Sequence, residues 1–407
     1  MNIPKQVIYI IEQLQKSGFE GFIVGGCVRD YLLGFEPKDF DITTDAMPQH
    51  IKNIFNHTID TGIEHGTVTV VIDKQNFEVT TYRIDGEYKD NRHPEKVIFS
   101  KKIDEDLSRR DFTMNAIAYN INKGFVDPFG GKEDIKNKVI KGVGDADKRF
   151  KEDALRMMRG VRFSAQLGFN IEEKTFLAIK ENASLIKNIS IERIRDEFLK
   201  LIKSDYIEKL NLLEETKLYK YFLTEIEPIF KNYKKNIFIL KNLNKNLRLA
   251  FILSHLDEKN VETILKRLRL DNKTIKETKT IIKYFNYNFI EDRTETRKLL
   301  CQIGEPSLLK KILEIKFCIS LIENNLIQCK KYDNIYDEID ETIRKNQCFS
   351  LKTLAITGND LKDIGITDGK DIGNILKIAL NLVLEQPNKN DKEILLKYVK
   401  EQIWKQH

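Results

Sequence analysis

Two aspartates one residue apart, Asp39 and Asp41, close a stretch that opens on two adjacent glycines: GGCVRDYLLGFEPKDFDITT, Gly25–Thr44. Adjacent glycines give up backbone order, and like charges on one strand face repel. Something should offset both costs. On a strand, residues i and i+2 point to one side, roughly 6.5–7 Å apart. Lys38-Asp39-Phe40-Asp41-Ile42 would then present both carboxylates together, with Phe40 and Ile42 behind. A divalent cation removes that repulsion, and hard Mg²⁺ prefers oxygen ligands completed by substrate phosphate. Upstream, the backbone amides of Gly25 and Gly26 at a strand-to-helix turn suit a phosphate. Arg29, one turn on, adds a charge-assisted contact. The stretch reads as a site for a nucleoside triphosphate and a metal, with Asp39 and Asp41 as catalytic metal ligands. Glu78, in Phe77-Glu-Val-Thr80, stays open between a third carboxylate and an exposed strand residue.

Two further clusters carry charge. Asp106-Leu-Ser-Arg109-Arg110-Asp111-Phe-Thr-Met-Asn115 sets two arginines beside aspartates, and arginine matches the planar, multi-acceptor geometry of phosphate. Glu152-Asp153-Ala-Leu-Arg156-Met-Met-Arg159-Gly-Val-Arg162 reads as a helix. Asp153 and Arg156, spaced i, i+3, would share a face, and Arg159 and Arg162 continue the series. A ladder of helical ion pairs is one reading. Base recognition is the other: a carboxylate accepts from the exocyclic amine shared by cytosine and adenine, and a guanidinium donates to ring acceptors. Such a pair accepts C and A and rejects G and U. Asp127-Pro-Phe-Gly-Gly131 reads as a structural turn, and Asp85–Pro94 as a polar surface loop.

The elements around these residues change character along the chain. Short β-branched runs at Gly21–Gly26, Phe40–Thr44, Thr67–Asp73 and Phe77–Arg83 predict strands. Asp73–Asn76 reads as a hairpin connection, and Asn115–Ile121 with Gly124–Asp127 as another hairpin. Lys5–Ser17, Arg29–Leu33 and Pro48–Phe55 predict helices among them. From about Asp145 the period becomes helical, over Phe150–Gln166, Glu172–Glu181, Ser190–Lys203, Ile207–Thr216 and most of the chain beyond. The expected fold class is α+β: a head with one mixed β-sheet, then a mainly helical remainder. Glycine turns return at Gly358–Gly373, where backbone amides could meet RNA phosphates or simply cap helices.

The 407 residues allow two to four domains. Hydrophobic residues at 41% and charged residues at 32% suit a water-soluble protein. No apolar run reaches membrane-spanning length, so no membrane partner is expected. The five scattered cysteines form no CxxC pair, which argues against zinc and against a disulfide framework and suits a reducing cytoplasm. The net charge of +6 hints mildly at an anionic partner. The oligomeric state stays open, with a homodimer among the options.

Taken together, GG-x-VRD-x-LLG, DFDITT, RRDFTMNAIA, DPFGG, EDALRMMR and SIERIRDEF (Ser190–Phe198) resemble the motifs of class II nucleotidyltransferases. Within that group the chain is most similar to the bacterial CCA-adding enzymes, the tRNA nucleotidyltransferases. The resemblance runs over Gly21 to about Ile202. It implies stepwise addition of C, C and A to the 3′ end of tRNA from CTP and ATP, with no nucleic-acid template. It implies Mg²⁺ on Asp39 and Asp41, triphosphate contacts from Gly26, Arg29 and Arg110, and a protein template for the base made of Asp153 and Arg156, with Arg159 and Arg162 in support. It also implies a catalytic head over residues 1–140, a base-reading neck over 141–205, a body over 206–310 and a tRNA-binding tail over 311–407. The resemblance further implies that the Asp85–Pro94 loop helps switch the pocket from C to A, and the loop resembles the full-length form rather than the shortened one of versions that add only CC. A poly(A) polymerase, an enzyme adding only CC or only A, and an RNA-binding protein with an inactive head are the alternatives. A dehydrogenase is disfavoured because GxGxxG is absent, and no His-Asp dipeptide announces an appended phosphohydrolase.

Overall fold

The computed structural model describes residues 2–86 and 97–404. Most of the Asp85–Pro94 loop therefore lies outside the described residues. The chain forms two compact units, Met1–Tyr233 and Lys234–His407.

The first unit starts with α1 (Lys5–Lys16), which buries Val7, Ile10, Ile11 and Leu14 at helical spacing. Then come β1 (Gly21–Val24), α2 (Gly26–Leu32), β2 (Asp41–Thr44), α3 (Pro48–Ile54), β3 (Thr58–Gly62), β4 (Thr67–Ile72) and β5 (Gln75–Thr81). The chain continues through β6 (Arg83–Asp85), β7 (Val97–Phe99), α4 (Ile103–Ser108), β8 (Ala118–Asn120), β9 (Gly124–Val126), α5 (Gly131–Lys136) and β10 (Val139–Ile140). Seven strands form one sheet in the order β3-β4-β5-β2-β1-β8-β9. It is mixed: β2 and β5 run parallel, and the other neighbours run antiparallel. Every residue of β1 is buried, as a central strand requires. Asp73 and Lys74 join β4 to β5 with φ of 51° and 63°, the left-handed pair that a tight two-residue hairpin needs.

Register explains why the glycines and the aspartate meet. Val24, the last residue of β1, faces Asp41, the first of β2. The chain leaves β1 straight into Gly25, so the glycine turn and the aspartate meet at the same end of these two central strands. Ile42 pairs with Val79 on β5, which sets Glu78 beside Asp41. One expectation needs correction here. Asp39 precedes β2 rather than lying on it, so the i, i+2 strand geometry does not govern the two carboxylates.

Beyond the sheet the unit is helical: α6 (Ala146–Glu152), α7 (Leu155–Leu167), the short β11 (Asn170–Ile171) paired with β10, α8 (Glu173–Asn182) and α9 (Ile191–Ile202). The single helix expected over Phe150–Gln166 is two. Asp153 is extended, with φ of −134° and ψ of 103°, and its Oδ1 accepts from the Leu155 N–H at 3.0 Å. A side chain that caps the next helix competes with helix continuation. Asp153 and Arg156 therefore sit on a helix junction, not on one helical face.

Among the described residues, the regular elements of the second unit are all helices. Pro306–Ile322 and Leu326–Arg344 form a long helical hairpin. The last part gathers Ile356, Leu361, Ala379, Val383, Leu395 and their neighbours into a core of its own. Across Gly358–Gly373, Thr357 and Asp360 form a capping box and Asp368 caps the helix that starts at Gly369. Among the described residues, no helix is long and apolar enough to cross a membrane.

Candidate active site

Two clefts meet at Asp41. The first, about 440 Å³, draws Gly25, Gly26, Arg29, Arg109, Arg110, Asp111 and Asn115 from the sheet side and Asp153, Arg156, Arg159, Arg162 and Phe163 from the α6–α7 segment. The second, about 610 Å³, holds Asp39 and Glu78 together with Lys38, Thr61 and Thr69. Asp41 lines both. Of the residues expected from sequence, Gly26, Arg29, Arg110, Asp41, Asp153, Arg156, Arg159 and Arg162 share the first cleft. Asp39 opens onto the second.

Gly25 has φ of 82°, a conformation side chains rarely adopt. A Cβ there would stand 3.1 Å from Arg110 Nη1 and 4.0 Å from Asp41 Oδ2. The glycine therefore lets backbone, guanidinium and carboxylate crowd together. Its own N–H is spent on Ile117 O at 3.3 Å, so the amide expected to meet phosphate is already bonded within the sheet. Arg29 is steadied by Asp30 Oδ1 at 2.7 Å and Asn115 Oδ1 at 2.8 Å. Arg110 places Nη2 3.4 Å from Asp106 Oδ2. Its Nε is buried without an acceptor among the described residues. An unanswered buried donor on a cation is costly, and an anion brought within its reach would offset that cost.

Burial pushes the Asp41 carboxyl up, and the neighbouring Glu78 and Asp39 push it further, while Arg110 opposes them. A carboxylate held against its like is what a cation relieves. The donors are all oxygens, the preference of hard divalent ions. Among the described residues, no three His, Cys, Asp or Glu side chains stand together as a complete metal cage. The residues fit an ion whose remaining ligands come from substrate and water.

The α6–α7 segment is held by a dense charge lattice. Asp153 Oδ2 accepts from Arg193 Nη2 of α9 at 3.0 Å. Arg156 is 8% exposed; it donates to Glu152 Oε2 at 3.0 Å and to the main-chain oxygen of Arg109 at 2.8 Å. Arg159 donates to Asp111 Oδ2 from Nε and lies 2.8 Å from it through Nη2. Arg162 pairs with buried Glu197 of α9. Phe163 lies beneath three guanidiniums, Arg29 at 5.1 Å, Arg159 at 5.2 Å and Arg162 at 3.8 Å from its ring centre. Stacked cations over an aromatic face attract. Burial works to raise the Asp111 pKa, but Arg159 and the Asn115 amide outweigh it and bring it down to about 2.

Sequence reasoning did not single out Asp106, Asp111, Asn115, Phe163, Arg193 or Glu197. Each lies in or beside a motif stretch, but the partners that give Asp111, Arg193 and Glu197 their roles lie far along the chain. Asp127 does what a turn residue does: it caps α5 through the N–H groups of Gly131 at 2.7 Å and Lys132 at 2.8 Å.

Residues 21–141 match the poly A polymerase head domain family, 168–230 the probable RNA and SrmB-binding site of polymerase A, and 241–399 the putative tRNA nucleotidyltransferase domain 2. The CCA-adding enzyme of Lactobacillus helveticus (strain DPC 4571) is 37% identical over 400 residues, 96% of either chain. The chain belongs to the CCA-adding enzymes. Another such enzyme, from Enterococcus faecalis (strain ATCC 700802 / V583), is 35% identical over 408 residues, 98% of this chain and 96% of its own. Among solved structures, the Bacillus stearothermophilus CCA-adding enzyme in complex with CTP superposes with a TM-score of 0.78 at 31% identity. It covers 100% of this chain and 99% of its own.

Proposed function

We propose that the protein is a complete CCA-adding tRNA nucleotidyltransferase. It adds C, C and A in turn to the 3′ end of tRNA from CTP and ATP and releases pyrophosphate. The observation that carries the reading is the meeting of Asp41, Arg110 and the Asp153–Arg156 junction in one cleft. Full-length kinship with CCA-adding enzymes, one of which was crystallised with CTP, supports it.

In this reading the residues divide the work. Arg110 and Arg29, with the Gly26 backbone beside them, hold the triphosphate. Asp153 accepts from the amino group that cytosine and adenine share, and Arg156 donates to the base edge. Arg159 and Arg162 keep that reader in place. The tRNA 3′-hydroxyl attacks the α-phosphate in line, and pyrophosphate leaves. A divalent cation on Asp39 and Asp41, Mg²⁺ by its oxygen preference, would lower the hydroxyl pKa and neutralise the leaving group. Most of the catalysis then lies in positioning and charge stabilisation. Within the two units, residues 1–140 act as catalytic head, 141–205 as base-reading neck, 206–310 as body and 311–407 as tRNA-binding tail. The five cysteines, all free thiols, fit a cytoplasmic enzyme.

The test is a product ladder. A tRNA lacking its terminal CCA is incubated with CTP alone, ATP alone, and both. Two C additions with CTP and a single A only with both are expected. Runs of A on unrelated RNAs would identify a poly(A) polymerase instead. Asp41→Ala and chelation of divalent ions should each reduce incorporation by orders of magnitude; unchanged incorporation in either would remove the metal reading.

A further inference from the structure

Asp106 is a carboxylate with 0% exposure and no assigned part in the reaction. It lies on α4, with Arg109 and Arg110 at i+3 and i+4, the spacing that brings side chains together. Oδ1 accepts from Arg109 Nε at 3.0 Å and Nη2 at 2.8 Å, and from the Arg83 N–H at 3.4 Å. Oδ2 stands 3.4 Å from Arg110 Nη2. Thr43 Oγ1 lies 3.3 Å from Oδ2, sharing its hydrogen with Thr80 O at 3.2 Å. Thr43 is two residues past Asp41 on β2 and so shares its strand face. One buried anion therefore ties the arginine pair to the strand that carries the catalytic carboxylate.

We propose that Asp106 is the positioning residue for triphosphate binding: it locks the Arg110 guanidinium beside Gly25 and Asp41, in the cleft that would receive the phosphates. The proposal rests on Arg110 being a triphosphate ligand. Arg109 and Arg110 repel each other across this corner, and Arg110 is further disfavoured by burial. Asp106 pairs with both and offsets part of that repulsion. Burial works to raise its pKa, but the two arginines outweigh it and hold it below the ordinary carboxylate range. Asp106 thus stays charged wherever the enzyme works.

The experiment is a double-mutant cycle on the full chain, read by steady-state kinetics and by pyrophosphate inhibition. Asp106→Asn should raise the KM for CTP and for ATP about tenfold, the size of one charge-assisted hydrogen bond. Pyrophosphate should inhibit more weakly in step, with the KM for tRNA unchanged. In an Arg110→Ala background the same substitution should add little. Additive losses, or a rise in the tRNA KM that matches the nucleotide effect, would overturn the positioning role. If Arg110→Ala alone leaves the nucleotide KM unchanged, the triphosphate reading of Arg110 falls first and takes this proposal with it. Should Asp106→Asn fail to fold, Asp106→Glu keeps the charge in a longer side chain and carries the same cycle. It should weaken nucleotide binding in the wild-type background and add little without Arg110; additivity there counts equally against the proposal.

Discussion

Asp111 shows how a single carboxylate links chemistry to stability. It bonds Arg159 and Asn115 in the folded chain, and its pKa falls from 3.8 to about 2. A lowered folded pKa contributes stability that is present above the unfolded value and is lost as pH falls through the folded one. The contribution should therefore be whole at neutral pH and fade between about pH 4 and pH 2. By linkage it amounts to about 2 kcal/mol. Asp111→Asn should then be clearly less stable than wild type in urea at pH 7. Near pH 2 the two proteins should converge. A gap that persists undiminished in acid would mean that packing, not charge, sets the role of Asp111. The arginines around it are correspondingly less available to substrate than their number suggests. Arg162, at 7% exposure, is committed to Glu197.

At the scale of elements, α5 is pinned by a close approach. A Cβ on Gly131 would stand 2.2 Å from the main-chain oxygen of Thr113, an atom that cannot swing aside. Gly131→Ala should cost about 1–3 kcal/mol or more as an overpacked core site, measurable as a lower thermal midpoint. A midpoint within experimental error of wild type would show that α5 can shift freely. The glycine turn was legible in sequence because adjacent glycines give up backbone order, and Gly25 takes φ of 82°; of DFD, Asp41 lies on β2 and Asp39 does not. The β1, β2, β4 and β5 runs were readable by composition. Strand β3, Thr-Ile-Asp-Thr-Gly, was not, since this polar edge strand has no buried residue and no alternation to betray it. The α6–α7 break was hidden too. Apolar periodicity runs through Asp153, and only the side chain's capping bond interrupts it. Asp106 and Glu197 were missed for the opposite reason: each looks like a solvated helix charge, and burial is decided by partners far along the chain.

At the scale of the molecule, a net charge of +6 over 407 residues is modest for a protein that handles tRNA. Affinity for the RNA backbone must then come from local clusters of lysine and arginine rather than from the overall field. A tRNA held through about five to six of its phosphates should lose affinity with a log–log salt slope of about −4 between about 50 and 200 mM salt. Fluorescence anisotropy would measure it. A slope near zero would mean that shape and base contacts carry recognition.

Arg156 gives one N–H to the main-chain oxygen of Arg109, the residue just before Arg110. If Arg156 reads the base and Arg110 grips the phosphates, as proposed, the reader is clamped to the peptide just before the phosphate ligand. On the proposed reading, an ill-fitting base that drags Arg156 drags that peptide too. Fidelity would then show as slow turnover of a wrong nucleotide already seated, rather than as its failure to enter.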